Sequence, residues 1–481
     1  MLDARDPNGA PASPPAGKPL KRSLGVWMAT ALVIGNMVGS GIFLLPASLA
    51  GEAGPVSIFA MVLTGIGAML LALVFASLGR AFPRTGGPYA YARRAFGDFI
   101  GFQTAWGYWI AAWAGNAAIA IAFVGYFAVF WGDLGTNNLL GALVAVGLVW
   151  LLTAINVLGV RESGWVQLVT TILKFVPLAL IGVIGLFYID GDNLTPFAPA
   201  GGSDWHIGAA ATLALWAFIG LESATVPAEE VKNPEKTIPR ATILGTLVTT
   251  LVYVIAIVAI MGIVPQAQLA GSSSPFADAA GVMWGGDWGK IIALVAMISA
   301  AGALNGWILL QGRIPLAAAE DDLFPKRFAR VHGTRRTPVF GLVVSSLLVT
   351  GLVFMNYNAS LVDQFTQVLL LATLTTLVPY AYSAAAQVVM FYRDRRLFSG
   401  AKFARDTVIA SLAFAYSAWA IWGAGQEVVA KGFMLLLAGV PVYVWLKWRQ
   451  STTPPSVREV PLQRPGLPLK PPAGRTPAGV N

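Results

Sequence analysis

Along its length the chain alternates between long runs without a charged residue and short clusters rich in Lys and Arg. The uncharged runs cover residues 23–51, 53–79, 99–132, 134–160, 241–277, 291–312, 337–362, 364–392, 407–426 and 432–446. Two more apolar runs, 163–189 and 207–228, are each interrupted by a single charge, Lys174 and Glu222. A helix that crosses the hydrocarbon core needs about 20 mainly apolar residues. The pattern therefore predicts an all-α integral membrane protein with twelve transmembrane helices. Residues 189–205 and 265–288 read as polar connections rich in Gly, Asp and Ser.

Composition sharpens this picture. Of 481 residues, 56% are hydrophobic and only 11% charged, against roughly 25% charged in ordinary soluble domains. A soluble fold of this length could not hide so much apolar surface behind so few charges. With no Cys, disulfides, thiol chemistry and cysteine metal sites are excluded. The two His, His206 and His332, lie in no ligand-like spacing. No cofactor or metal is expected.

The net charge of +9 follows from topology. With the N-terminus in the cytoplasm, alternate connections carry Arg80, Arg84, Arg93 and Arg94, then Arg161, then Lys232, Lys236 and Arg240, and so on down the chain. Only Lys290 and Lys431 fall on the opposite side, and Lys174 lies within a span. This is the positive-inside bias, so nucleic acid is not needed as a partner, and both termini are expected in the cytoplasm. Residues 1–22 lack the apolar core of a cleavable signal. Residues 449–481, with eight Pro, read as a disordered tail. The transporter domain is expected to occupy 23–448, with repeats at about 23–190 and 205–392 and two further helices at about 406–448.

Two spans break their own rules. Span 1 carries Gly35-Asn36-Met37-Val38-Gly39-Ser40-Gly41 at its middle, a poor helix interior. Span 6 carries Trp216-Ala217-Phe218-Ile219-Gly220-Leu221-Glu222, again with a mid-depth Gly, now beside an acid. Close packing of small residues explains such glycines in many membrane helices. Spans 1 and 6, however, open successive sets of five helices, which points to inverted repeats with discontinuous helices around a midplane site. An unwound stretch at Gly39–Gly41 exposes backbone N–H groups suited to a carboxylate. Carbonyls freed near Ile34 and along 216–219 suit an α-ammonium.

On span 3, Tyr108, Ala111, Ala112 and Asn116 recur at helical spacing, a gap of small residues beside a buried amide. Trp216 and Trp307 offer faces to a cationic side chain, although most of the 16 Trp read as interface belt or core, Trp109 and Trp113 among them. The two intramembrane charges are functional candidates by default. Glu222 suits proton carriage or sensing of a cationic ligand, or else a structural hydrogen bond. Lys174 suits tying unwound span 1 to span 5 in place of a bound cation, or else snorkelling to the interface.

The stretch from Gly35 through Gly41 to Ile42-Phe43-Leu44-Leu45-Pro46 resembles the signature of the amino acid–polyamine–organocation (APC) superfamily. The similarity extends through Gly86-Gly87-Pro88-Tyr89, 216–223, Val231-Lys232-Asn233-Pro234-Glu235, 318–325 and Thr376-Leu377-Val378-Pro379-Tyr380, covering roughly residues 24–450. Within the superfamily it narrows to the bacterial basic amino acid/polyamine antiporters, and most of all to the arginine/agmatine exchangers. The resemblance implies the LeuT-like fold and a bacterial cell membrane location, and it allows a homodimer. It further implies a carboxylate cradle at Ser40 and Gly41 with Asn36 nearby. Tyr108, Ala111, Ala112, Asn116, Trp216, Ile219 and Trp307 then line the pocket. Asn116 and Trp307 match positions that hold a guanidinium, and Trp216 one that covers it. Glu222 and Tyr89 match positions linked to gating and pH response. Two departures stand out. The family's substrate-facing serine in span 10 has no clear match, with Ala372 and Thr373 nearest. Lys174 replaces a small apolar residue of the arginine exchangers, whereas proton-coupled and neutral amino acid carriers keep a lysine there.

The expected function is therefore exchange of an extracellular basic amino acid for an intracellular amine or amino acid by alternating access. The alternative, carried by Lys174, is a proton-coupled permease or exporter of neutral amino acids. An intramembrane enzyme would need a nucleophile–base pair or metal ligands within the spans, and the sequence has no Cys, no HExxH motif and no mid-span His.

Overall fold

A computed structural model describes residues 24–39, 41–84, 86–158, 164–197, 206–226, 228, 231–332, 337–393 and 400–452. Both predicted tails lie almost wholly outside these residues, and so does Ser40. Among the described residues there is no β-strand, only an isolated bridge between Leu24 and Val231.

The helices run α1 (Val26–Met37), α2 (Gly41–Glu52), α3 (Ser57–Ala81), α4 (Pro88–Phe96), α5 (Asp98–Phe127) and α6 (Asp133–Thr136). They continue with α7 (Asn138–Leu158), α8 (Gly164–Gly185), α9 (Ile207–Trp216), α10 (Pro234–Ile263), α11 (Gln266–Ala270) and α12 (Pro275–Trp284). The last six are α13 (Gly286–Glu320), α14 (Val339–Asn356), α15 (Leu361–Arg393), α16 (Gly400–Gly423), α17 (Gln426–Leu437) and α18 (Gly439–Thr452). Nine helical segments among the described residues are long and apolar enough to cross a membrane. Ile207–Trp216 and Val339–Met355 are apolar but shorter. The first of these is short because its helix stops at Trp216, in the middle of the apolar run.

Leucines such as Leu247, Leu251, Leu294 and Leu347 remain exposed on the outside of the bundle. In water they would form an adhesive surface. In a bilayer they face chemically similar lipid, while the backbone polar groups are satisfied inside the helices. The chain is a multi-pass membrane protein.

At the centre stands α5, buried along almost its whole length and packed against α13 and α15. Its run of Ala and Gly from Ala111 to Ala122 lets neighbouring backbones approach closely. The broken pair α1/α2 lies between α8 and α10 on one side and α9, α11 and α12 on the other.

Candidate functional site

The site forms where two helices stop at mid-depth. Helix α1 ends as Val38 donates to Ile34 O (2.7 Å) and Gly39 donates to Met37 O (2.8 Å), and helical structure restarts at Gly41. Helix α9 ends at Trp216 and continues as tight three-residue turns through Ser223, with Gly220 at φ +112°. That φ belongs to glycine, and the space demands it too. A Cβ on Gly220 would lie 2.9 Å from the backbone carbon of Asn36. The unwound segment after α9 therefore touches the last turn of α1 backbone to backbone.

Breaking a helix frees carbonyls that lipid cannot satisfy, so side chains must reach them. Tyr253 on α10 donates to Met37 O at 2.7 Å. Lys174 on α8 reaches Gly35 O at 3.5 Å, and one turn earlier, in the intact part of α1, Thr171 reaches Ala31 O at 3.3 Å. Asn36 donates through Nδ2 to Ser223 Oγ at 2.8 Å, joining the two breaks directly. Above the break, Tyr126 donates to Phe43 O at 2.5 Å.

Between the breaks lies a cavity of about 20 Å³ lined by Asn36, Met37, Gly39, Gly41, Ile119, Trp216, Ile219 and Trp307. That is room for about one water, so the site is closed down. The Trp216 indole is wedged between two glycines. A Cβ on Gly41 would lie 2.6 Å from Nε1, and one on Gly115 2.5 Å from Cη2. Both ends of the ring rest on bare backbone.

Beside this cavity Glu222, wholly buried, accepts three hydrogen bonds. They come from Tyr108 OH on α5 (2.7 Å), Tyr380 OH on α15 (2.5 Å) and its own segment's Gly220 N–H (3.1 Å). One carboxylate thus ties the unwound strand of the second break to two long helices. A buried acid whose two oxygens meet three donors is a brace that joins three elements.

Not every expected residue meets in one place. Tyr108 is engaged with Glu222 and does not line the cavity. Ala111 and Ala112 are buried on α5 but also stand off the cavity wall. Asn116 donates to Gln311 Oε1 at 2.7 Å. Tyr89, on α4, lies at the Arg-rich end in a separate polar cluster. There it donates to Asp321 Oδ2 (2.7 Å), and Arg93 pairs with Asp321 (2.6 Å) and with Asp98 (3.1 Å). Burial, reinforced by the hydrogen bond to Asp321, pushes the Tyr89 phenol well above its ordinary value, so it remains a donor. The cluster borders a cavity of about 580 Å³ that also includes Arg84, Arg94 and Glu320. Ser40, expected in the carboxylate cradle, lies outside the described residues.

Sequence reasoning missed Met37 and Ile119 on the cavity wall, and with them Tyr380, Gly115 and Gln311. Tyr380 was visible only as part of a motif, since its bond to Glu222 spans 158 positions. Gly115 is marked only by its close approach to Trp216, and Gln311 only by its bond to Asn116 across 195 positions. Among the described residues no group of three His, Cys, Asp or Glu comes together to hold a metal ion.

Two broken helices meeting at a small cavity inside the bundle, beside a buried acid, define a multi-pass membrane protein with an internal site for a small molecule. Comparison with known proteins identifies which. A profile of the amino acid permease family matches residues 24–444, and the chain belongs to that family. It is a transporter and not an enzyme. The putrescine transporter PotE of Escherichia coli K12 is 33% identical over 428 residues, covering 87% of this chain and 95% of the relative. A putative arginine/ornithine antiporter of Bacillus subtilis 168 is 34% identical over 452 residues, covering 87% and 96%. The cadaverine/lysine antiporter of E. coli K12 is 34% identical over 372 residues, covering 75% and 82%.

Proposed function

We propose that the protein exchanges a basic amino acid for an amine or a second amino acid, by alternating access around the cavity between the two breaks. The observation that carries this is the cavity wall itself: Gly39 at the break and Gly41 at the start of α2 on one side, two indoles, Trp216 and Trp307, on the other. Peptide N–H groups at the start of α2 suit a carboxylate, carbonyls of the unwound strands suit an α-ammonium, and indole faces suit a cationic tip. No charged side chain lines the cavity. The relatives named above, carriers of putrescine, arginine/ornithine and cadaverine/lysine, support a cationic substrate class.

The reading includes twelve crossings: the nine long spans, the two shorter apolar helices, and α16. It also includes a five-plus-five inverted repeat. Helix α1 packs on α10 as α9 packs on α3, and α5 on α15 as α13 on α8. Each half interrupts its helices with short ones at the same point, α4 in the first and α11–α12 in the second. The Lys/Arg bias favours both termini in the cytoplasm. On this reading Lys174, near Gly35 O, occupies the place of a cation at the first break, and Glu222 with its two tyrosines gates the cavity toward the Arg-rich end.

A second reading, proton-coupled transport of neutral amino acids, is favoured by the same Lys174 contact. Proteoliposomes decide between them. Vesicles loaded with arginine, ornithine or putrescine are offered labelled arginine, beside alanine-loaded and empty vesicles, with and without an imposed proton gradient. Uptake that requires an internal basic substrate is the expected result. Gradient-driven uptake of neutral amino acids into empty vesicles would overturn it.

A further inference from the structure

The amide of Asn116 is half satisfied. The residue is fully buried, Nδ2 donates to Gln311, and Oδ1 has no partner. Buried polar atoms are rarely left so, and which end of this amide is free is not arbitrary. It is dictated by a chain of hydrogen bonds running away from it.

The far end fixes the direction. Thr153 on α7 donates its one proton to Val149 O at 2.7 Å, and a carbonyl can only accept. The Thr153–Ser346 contact, also 2.7 Å, must then have Ser346 as donor. With its proton committed, Ser346 accepts from Gln311 Nε2 at 3.0 Å. Gln311 therefore turns Oε1 toward Asn116, which must meet it with Nδ2 at 2.7 Å. Gln311, Ser346 and Asn116 show no exposure and Thr153 shows 2%, so water does not scramble the order. The backbone of Gln311 is held as well, since Ser345 Oγ donates to its carbonyl at 3.3 Å.

We infer that Gln311 is a positioning residue for substrate selectivity: it locks the Asn116 amide so that its free end is an acceptor, and so selects substrates whose far end carries N–H donors, an ammonium or a guanidinium. The inference rests on the basic-substrate reading above and names the device that enforces it. The same two helices carry the cavity wall, with Ile119 one turn beyond Asn116 on α5 and Trp307 one turn before Gln311 on α13. A donor brought to Oδ1 relieves its desolvation. An apolar tip leaves it unpaired, and sites built to hydrogen-bond a ligand reject analogues that lack the group.

The experiment is exchange in proteoliposomes with arginine and ornithine as cationic probes and norleucine as the neutral one. Wild type is compared with Gln311→Met, Gln311→Glu and Ser346→Ala. In Gln311→Met the Asn116 amide can turn over. The cationic-to-neutral preference should fall about tenfold or more, through KM for the cationic probes, with the maximal exchange rate within about threefold. Gln311→Glu, whose oxygens still require Nδ2 of Asn116, should restore the preference. Ser346→Ala, which unlocks the chain one link further away, should lower it about threefold. An unchanged preference in Gln311→Met, or in Ser346→Ala should the first variant not fold, overturns the positioning role while the basic-substrate reading stands. A wild-type protein that prefers norleucine overturns both.

Discussion

Placing a methyl group on Gly115 tests whether Trp216 is the moving part of the site. The added Cβ would lie 2.5 Å from Cη2 and 3.1 Å from Cζ3 of the indole. Carbon atoms sit comfortably about 3.5–4.0 Å apart, so the ring must move by about 1 Å. It cannot retreat freely, because at its other edge Nε1 rests on the bare backbone of Gly41. Overpacking of this kind costs about 1–3 kcal/mol, which is about 5- to 150-fold in an equilibrium. The closed conformer carries that cost, and an open conformer with Trp216 swung away does not. Gly115→Ala should therefore raise KM for exchange at least about fivefold and lower the melting temperature in detergent. The sign is diagnostic, because Gly→Ala inside an unobstructed helix stabilises by roughly 0.5–1 kcal/mol. Gly147→Ala on α7, where nothing lies within 4 Å of the new methyl, supplies that comparison. A Gly115→Ala protein with KM unchanged and stability raised like Gly147→Ala would refute the clamp.

Four further outcomes are expected. Tyr253→Phe strips the donor from Met37 O at the first break and should cost about 1–3 kcal/mol, read by thermal melting in detergent; an unchanged melt would mean the carbonyl finds another donor. Glu222→Gln turns one acceptor into a donor, so the bond to one tyrosine must reverse, with the hydroxyl accepting from the amide, and its effect on exchange should be non-additive with Tyr380→Phe by about 0.5–3 kcal/mol; simple additivity would count against the brace. Lys174→Met should cut exchange at least about tenfold, about 1.4 kcal/mol, and wild-type flux would remove Lys174 from the mechanism. Asp278, on α12 beyond the end of α10, has its carboxyl pushed above the usual range by burial, against hydroxyl bonds from Ser272 and Ser274. A raised carboxyl stabilises the fold while protonated, and that contribution is lost as pH rises through the folded-state value. Asp278→Asn should therefore raise the melting temperature at neutral pH, with the gain fading as pH drops through the carboxyl range. A gain independent of pH would show that charge burial is not its cause.

By itself the sequence determined the class. Uncharged runs of spanning length, an 11% charged fraction and a Lys/Arg bias to alternate loops are one-dimensional properties, and lipid imposes them before any contact forms. The two breaks were legible for the same reason. Gly35-Asn36 with Gly39-Ser40-Gly41, and Gly220 before Glu222, are locally incompatible with a continuous helix, and the helices do end at Met37 and Trp216. Only the tertiary structure decided who meets whom at those breaks. Glu222 finds Tyr108 and Tyr380 at separations of 114 and 158 residues, and Asn116 finds Gln311 across 195. No periodicity encodes such pairings, because they depend on how α5, α13 and α15 pack around one another. Packing also engaged Tyr108 with the acid and Asn116 with Gln311, and brought Met37 and Ile119 to the cavity wall. The chain announces where it must unwind, and the bundle alone decides which side chains satisfy what the unwinding exposes.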